Sequence, residues 1–493
     1  MIPVKYGTIR SLAVWYLIIP YFIFLAAWVR WMISIPCILF LGFSMYRISK
    51  EKTADSDTLN LPAVGLGIII VVSVLWCQSA GIGGLFYQSP DHQFRNAVFR
   101  DLLSHRWPVT YETYGTGLVY YLGIWIVPAA LGKVFLKWDF SNETAWNMAE
   151  IMLLLWCGIG IILLVLLLCL YFRQCTLAGI ILILILLIGF SGLDIVGELW
   201  KNGLKIHDHI EWWSGYFQFR SNTTALFWAY NQAIPCWLMT MLLLSERNLR
   251  SYGIIICCTL FYSPFSVAGI CLCVLVLAYS LSRNENGNFW WLLNDVCSYQ
   301  NIAATVTILP VLAIYYSCNA GGKSKIRFCF EDYGGLTGEM TKIWLVFLIL
   351  ELGVYVCFLI RKEYKNPLLY GVLASLIINS VVSLGETGEV VYRISATMPG
   401  VFLLMCFVMK VIFRNPVYPL KRYRFLHTIL ILVFLLGTFT PAIEYCRALS
   451  AMKEQKAVCV VADDLKTLNQ ENAPINFIGY DIRDSLFYRF LAQ

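Results

Sequence analysis

Three polar stretches interrupt an otherwise apolar chain, and they hold the side chains able to do chemistry. The first reads Ser89-Pro90-Asp91-His92-Gln93-Phe94-Arg95-Asn96-Ala97-Val98-Phe99-Arg100-Asp101-Leu102-Leu103. Asp91 is a carboxylate that could take a proton from a hydroxyl or hold a divalent cation. It could equally cap a helix and favour its dipole. His92 sits beside it as a candidate substrate contact. The second stretch, 193–222, carries Asp194, Glu198, His207, Asp208, His209, Glu211, Trp212 and Trp213. Glu211 is a candidate substrate contact. Trp212 and Trp213 could stack on sugar rings or anchor the chain at a membrane interface. His207 and His209 alternate, so they share a face on a strand but not on a helix; a metal site there is one open reading. The third stretch is Gly385-Glu386-Thr387-Gly388-Glu389-Val390-Val391-Tyr392-Arg393-Ile394. Arg393 matches a phosphate or pyrophosphate in shape and charge, but snorkelling to headgroups or pairing with Glu386 or Glu389 would satisfy it too. Asn231 and Gln232 are amides near Pro235 in an apolar run; they face a cavity or make a packing hydrogen bond.

The elements that must position these groups follow from periodicity. Phe94, Val98 and Leu102 repeat at helical spacing and Pro90 suits a helix start. The helix 91–105 is therefore expected to lie amphipathically against a membrane surface. The chain as a whole, 493 residues, is 59% hydrophobic and 14% charged, with mean hydropathy +0.68. A soluble protein would carry roughly 25% charged residues. The net charge of +7 is modest, which argues against nucleic acid as a partner. Most of the 17 cysteines lie in apolar runs, as small hydrophobes. Cys318 and Cys329 share one predicted loop and could form a disulfide.

A spanning helix needs about 20 apolar residues. The runs 11–29, 31–47, 62–80, 148–171, 176–192, 226–244, 252–262, 265–282, 299–316, 341–360, 367–384, 397–412 and 426–442 are read as about 13 spans, of which 252–262 and 265–282 are short halves of a hairpin, split by Ser263-Pro264, that turns near the far surface. The short run 116–133, with Pro128, is read as an interfacial element. On that map Arg173, Arg247, Arg250, Arg283, Arg361, Lys362, Lys365, Lys410 and Arg414 fall on one side, the cytoplasmic side by the positive-inside rule. The N-terminus is then cytoplasmic, and the loops 81–115 and 193–222 and the C-terminus are external. The expected class is an all-α polytopic transmembrane helical bundle with external juxtamembrane helices and a small external tail. Residues 1–60 form an N-terminal hairpin with its connection, 61–442 the multi-span domain and 443–493 the tail. Within the tail Ala457–Ala462 and 475–480 look strand-like.

This arrangement resembles the GT-C class of integral-membrane glycosyltransferases, which includes protein mannosyltransferases and oligosaccharyltransferases. Asp91 matches that class's acidic residue in the first large external loop, and the helix 91–105 matches its surface helix. Asp194 lies where the second acidic position is expected. Arg393 is a weaker match to the phosphate-binding position. The resemblance covers roughly residues 60–415 and is architectural. An Asp-His pair stands here where related enzymes often show Asp-Asp, Asp-Glu or a lone Asp.

The resemblance implies transfer of a sugar from a polyprenyl-phosphate-linked donor to a glycan, lipid or protein acceptor, in cell-envelope synthesis at a prokaryotic plasma membrane. Asp91 and Asp194 would be catalytic, with Asp91 the base. Arg393, Arg95 and Arg100 would stabilise the leaving phosphate, and Glu211, Trp212, Trp213 and Gln232 would contact substrate. A lipid-linked sugar flippase and a polysaccharide polymerase or ligase are the alternatives.

Overall fold

A computed structural model describes residues 1–51, 57–111, 115–284, 289–320, 325–384, 391–413, 421–454 and 477–493. The strand β1 (Ile2–Lys5) leads into α1 (Tyr6–Trp28) and α2 (Trp31–Lys50), and β2 (Thr58–Leu61) returns to pair antiparallel with β1. The hairpin and its connection thus close on themselves at one end of the molecule. Most apolar side chains of α2 stay exposed, among them Leu39 at 67% and Phe40 at 52%. An outer face of that kind needs lipid beside it.

From there the chain shuttles between two ends. The helix α3 (Ala63–Ser79) leads to α4 (His92–Ser104). The short β3 (Thr110–Tyr111) and β4 (Thr116–Leu118) precede α5 (Gly123–Lys137). The helices α6 (Asn142–Phe172) and α7 (Leu177–Gly189) start with Ser141 and Thr176, whose hydroxyls accept from Thr144 and Gly179 N–H groups. Next come α8 (Asp194–Asn202) and α9 (Asn222–Ser245), then α10 (Tyr252–Leu260), α11 (Pro264–Asn284), α12 (Phe289–Val296) and α13 (Tyr299–Ser317). After β5 (Ile326–Phe328), α14 (Gly338–Leu348) and α15 (Val354–Glu363) flank a π-helical turn, Ile349–Gly353. Then α16 (Pro367–Val381), β6 (Val382–Leu384), α17 (Val391–Phe413), α18 (Lys421–Gly437), α19 (Phe439–Lys453) and β7 (Ile478–Asp481) complete the fold.

At the basic end, the connections expected to be Arg- and Lys-rich meet buried acids. Arg10 bonds Glu246 at 2.5 Å and Glu51 at 2.9 Å. Arg247 reaches Asp57 at 2.6 Å, Arg250 reaches Asp295 at 2.8 Å and Lys410 reaches Glu363 at 2.7 Å. The other end gathers α4, α8, α19 and the sheets other than β1–β2. There β7 pairs with β4, which pairs with β3. The isolated bridges Val29–Ala492 and Asn319–Gly479 add to this end. The loops 81–115 and 193–222 and the described part of the tail therefore share one end of the bundle.

The chain is a multi-pass helical membrane protein, but a count of thirteen spans is not confirmed. Among the described residues eight helices are long and apolar enough to cross a membrane. A ninth counts if α12 and α13, bent by 48°, form one span. The other expected runs fall short for definite reasons. The helices α3 and α16 are short, and α10 has 9 residues. The helix α9 is rich in amides and hydroxyls and is buried along nearly its whole length, so neighbouring helices replace lipid around it. The turn between α10 and α11 does not reach the far surface, because Ser263 bonds Gln232 inside the bundle. The run 116–133 becomes β4 and α5, and α5 packs along α6.

The disulfide considered between Cys318 and Cys329 does not form. Cys318 Sγ donates to the Ile314 carbonyl at 3.2 Å and accepts from Phe487 N. The strand expected near 475–480 is β7, while Ala457–Ala462 and Glu386 and Glu389 lie outside the described residues.

Candidate functional site

A cavity of about 680 Å³ opens where the two polar loops meet. Its walls come from Pro90 and Asp91 before α4, Glu198, Lys201 and Asn202 on α8, and His207, His209, Trp212 and Trp213 in the following loop. Gln218, Arg220, Thr224 and Trp228 close it from the α9 side. Local chemistry sets each wall. Ser221 caps α9 through the Thr224 N–H. The helix α9 is broken at Ala229, where the backbone leaves helical angles, and the break separates Trp228, on the cavity, from Tyr230 and Asn231 in the bundle.

Asp91 occupies the residue before α4, but its side chain makes no capping bond. It is half exposed and pairs with Arg95 at 3.3 Å. Capping therefore does not account for it. Arg95 lies over the Tyr230 ring at 5.9 Å and leaves Nη1 buried without a partner. His92 does not line the cavity. It is buried against Tyr230, its Nδ1 3.0 Å from Ser89 Oγ. Burial pushes its imidazole down to about 3, so it is neutral and serves packing. Arg100 is turned away, over the Trp146 ring on α6 at 5.5 Å.

Behind the cavity lies a cluster of buried acids. Asp194 opens α8 and accepts from Ser191 Oγ at 2.9 Å and Thr440 Oγ1 at 2.8 Å. It does not line the cavity, so the expected face-to-face pair with Asp91 is not what the fold builds. Its neighbour is Glu351, set in the π-helical turn. Gly192 makes room for that carboxylate: a Cβ there would sit 1.8 Å from Glu351 Oε2. Two carboxyl groups buried in contact repel one another when both are charged. Glu211 accepts from Ser221 N at 2.8 Å and Gln218 Nε2 at 2.9 Å. Burial, then the nearby Asp194 and Glu444, push its carboxyl up to about 8.

Cations thread this acid cluster. Arg220 is held below the usual guanidinium value by burial, against the opposing pull of Glu211 and Asp91. Arg447 bonds Glu444 at 2.5 Å and lies over the Trp228 ring at 4.9 Å. His209 is fixed from both sides, by Glu444 at Nδ1 (3.0 Å) and by Arg447 at Nε2. His207 is different: Glu198 Oε1 holds its Nδ1 at 2.5 Å and its backbone N–H at 3.1 Å.

The remaining candidates lie elsewhere. Trp213 is buried against Gly197 and Phe347 and cannot stack on a ligand; Trp212 is 55% exposed on the cavity. Gln232 bridges Tyr121 and Ser263 inside the bundle, a packing role. Arg393 is buried at the start of α17 with Nη1 unpartnered, away from this cavity. Among the described residues no three His, Cys, Asp or Glu side chains converge to hold a metal ion.

The sequence reading missed Glu198, Arg220, Trp228, Glu351, Glu444 and Arg447 as site residues. Glu351 carried a signal, since it is an acid alone in the apolar run 341–360. Arg447 and Glu444 carried none, because nothing in the tail predicts its docking beside 193–222.

No protein-family model matches the chain, and no curated protein matches it. The fold and site define a multi-pass helical membrane protein with a cavity at one end of its bundle, lined by aromatic and polar side chains and backed by a cluster of buried acids.

Proposed function

We propose that the chain is a membrane glycosyltransferase that moves a sugar from a polyprenyl-phosphate-linked donor to a glycan, lipid or protein acceptor. The observation that carries this reading is the cavity itself. The Asp91 carboxylate, the cations Lys201 and Arg220 and the exposed Trp212 line it at one end of the bundle, where a lipid-linked sugar can reach them. With the basic end taken as cytoplasmic, the cavity opens outside the cytoplasm, and the thirteen apolar runs alternate between the two sides. A prokaryotic plasma membrane and cell-envelope glycan synthesis fit that orientation.

The reaction is a displacement with inversion. An acceptor oxygen bonds to the anomeric carbon as the bond from that carbon to the phosphate oxygen breaks. Its electron pair leaves with the phosphate, beside Arg220 and Lys201 of the cavity wall. Asp91 faces the positive charge that builds on the sugar. Trp212 and Trp228 supply flat apolar surface for sugar rings.

The test is sugar transfer by purified protein in detergent from a panel of polyprenyl-phosphate sugars to candidate acceptors. Turnover of at least one donor supports the reading; none across the panel removes it. A polysaccharide polymerase or ligase uses the same donors, and the product length separates it. The Asp194–Glu351 pair inside the bundle favours a second reading, a proton-coupled lipid-sugar flippase. Proton-driven movement of the donor between leaflets, without transfer, would select it.

A further inference from the structure

Glycosyl transfer requires a group that takes the acceptor's proton, and the cavity walls hold four titratable candidates, Asp91, Glu198, His207 and His209, of which Glu198 is 1% exposed and bonded to His207. Resting on the transferase reading, we infer that His207, oriented by the buried Glu198, is the base that deprotonates the acceptor hydroxyl.

Three observations separate it from its rivals. His209 has both ring nitrogens engaged, by Glu444 and Arg447, so it has no nitrogen left for substrate. Asp91 has its Oδ2 engaged by Arg95, and it stands on the donor side with the cations. His207 has one nitrogen engaged and one left over. Glu198, 1% exposed, holds Nδ1 at 2.5 Å, with the Asn202 amide 3.4 Å away. Among the described residues no hydrogen bond engages His207 Nε2, and the side chain is 64% exposed on the cavity.

A carboxylate on Nδ1 does two things. It fixes the tautomer with the basic lone pair on Nε2, and it stabilises the imidazolium that forms. Glu198 can do this because the chain folds back on it. The His207 backbone N–H bonds the same Oε1 at 3.1 Å, which closes the turn after α8 around the carboxylate. Gly203, at φ +65°, permits that reversal directly after α8.

The step balances. The acceptor O–H proton passes to Nε2 as the oxygen bonds to the anomeric carbon, and the phosphate departs with the electron pair of the broken bond. The imidazolium then returns its proton to water at the open side of the cavity. The charged groups facing His207 there are Glu198 and Lys201 of α8, Asp91 before α4, His209 of its own loop and Arg220 before α9. Lys205 and Asp208 flank it in the chain. Glu198 is a positioning residue: it acts through the ring.

The experiment measures sugar transfer against pH for the wild type, His207→Gln, His207→Ala, Glu198→Gln and Asp91→Asn, each matched for melting temperature in detergent. The wild type should lose rate as pH falls and the imidazole protonates. In His207→Gln the maximal rate should drop roughly 10²-fold or more, with little change in donor KM, and the acidic limb should disappear. Added imidazole should restore part of the rate to His207→Ala, an effect a purely structural role would not produce. Glu198→Gln should shift the limb, whereas Asp91→Asn should lower the rate and leave the limb in place. A His207→Gln protein with wild-type rate and limb overturns the assignment, as does a limb that follows Asp91 instead. Either result leaves the transferase reading standing. A wild type that transfers no sugar from any donor overturns both.

Discussion

The two ends of the bundle treat buried carboxylates in opposite ways. At the basic end each buried acid has its own cation: Glu246 has Arg10, Asp295 has Arg250, Glu363 has Lys410 and Asp57 has Arg247. At the cavity end Asp194, Glu211, Glu351 and Glu444 are all at most 3% exposed. Of these, Glu444 has a guanidinium at salt-bridge distance. Asp194 and Glu211 are held by hydroxyls and amides instead, and Glu351 leaves Oε1 without a partner. Ion pairs of this kind close a structure, because each buried charge meets its compensation. A surplus of acids over cations costs stability and sets proton occupancy, which is worth keeping only where protons and charges change during function.

Four substitutions probe that contrast, from the largest expected effect to the smallest. Asp91→Asn keeps the volume and removes the charge facing the sugar. It should cut transfer by roughly 10²-fold or more with the melting temperature unchanged; near-normal turnover of folded variant would detach Asp91 from the chemistry. At the other end, Arg10→Ala leaves Glu246 buried beside no counter-ion. That should cost about 3–5 kcal/mol of stability, while activity per folded molecule persists. The double change Arg10→Ala with Glu246→Ala should cost less than Arg10→Ala alone, as thermal unfolding in detergent would reveal.

Gly192→Ala is expected to matter next. Its Cβ would collide with Glu351 Oε2, and overpacking of this kind costs about 1–3 kcal/mol. Shortening the partner with Glu351→Ala should recover part of the loss. If Gly192→Ala is silent on its own, the two segments do not approach as closely as the fold requires.

The smallest effect concerns pH. Glu211 is raised by burial and by its acidic neighbours to about 8, above its unfolded value. Between those two values the folded protein binds more protons than the unfolded chain. Its contribution is therefore fully present at low pH and lost as pH rises toward 8. Glu211→Gln should flatten this decline, so that raising the pH from 6 to 8 lowers its melting temperature less than that of the wild type, by about a few degrees. Parallel melting curves across that range would show that Glu211 is already ionised in the fold.

Much of this molecule was legible in its residues, because a bilayer imposes strong and local rules. Runs of about 20 apolar residues must be helices, and those predicted are. Among the described residues Arg173, Arg247, Arg250 and Lys410 of alternate connections do meet acids at one end, while Arg414 lies outside the described residues. Pro90, Phe94, Val98 and Leu102 foretold α4, and the polar stretches 81–115 and 193–222 foretold where the cavity would open. Residue type also singled out Asp91, which lines it. Span number was less legible, since α9 survives among polar side chains only because other helices surround it.

Which side chains face one another was decided by the tertiary fold alone. His92 and Arg95 face Tyr230 while Arg100, in the same short helix, lies over Trp146, because burial and ring contacts across helices choose the direction. Asp194 went behind the cavity wall because the Gly192 backbone makes room for Glu351, more than 150 residues away in sequence. Arg447 and Glu444 joined His209 because α19 docks beside the loop after α8. Helical periodicity and hydropathy act over a few residues, so they fix the helices. Ion pairs and cavities depend on distances between segments far apart in the chain, and those distances exist only once the bundle has packed.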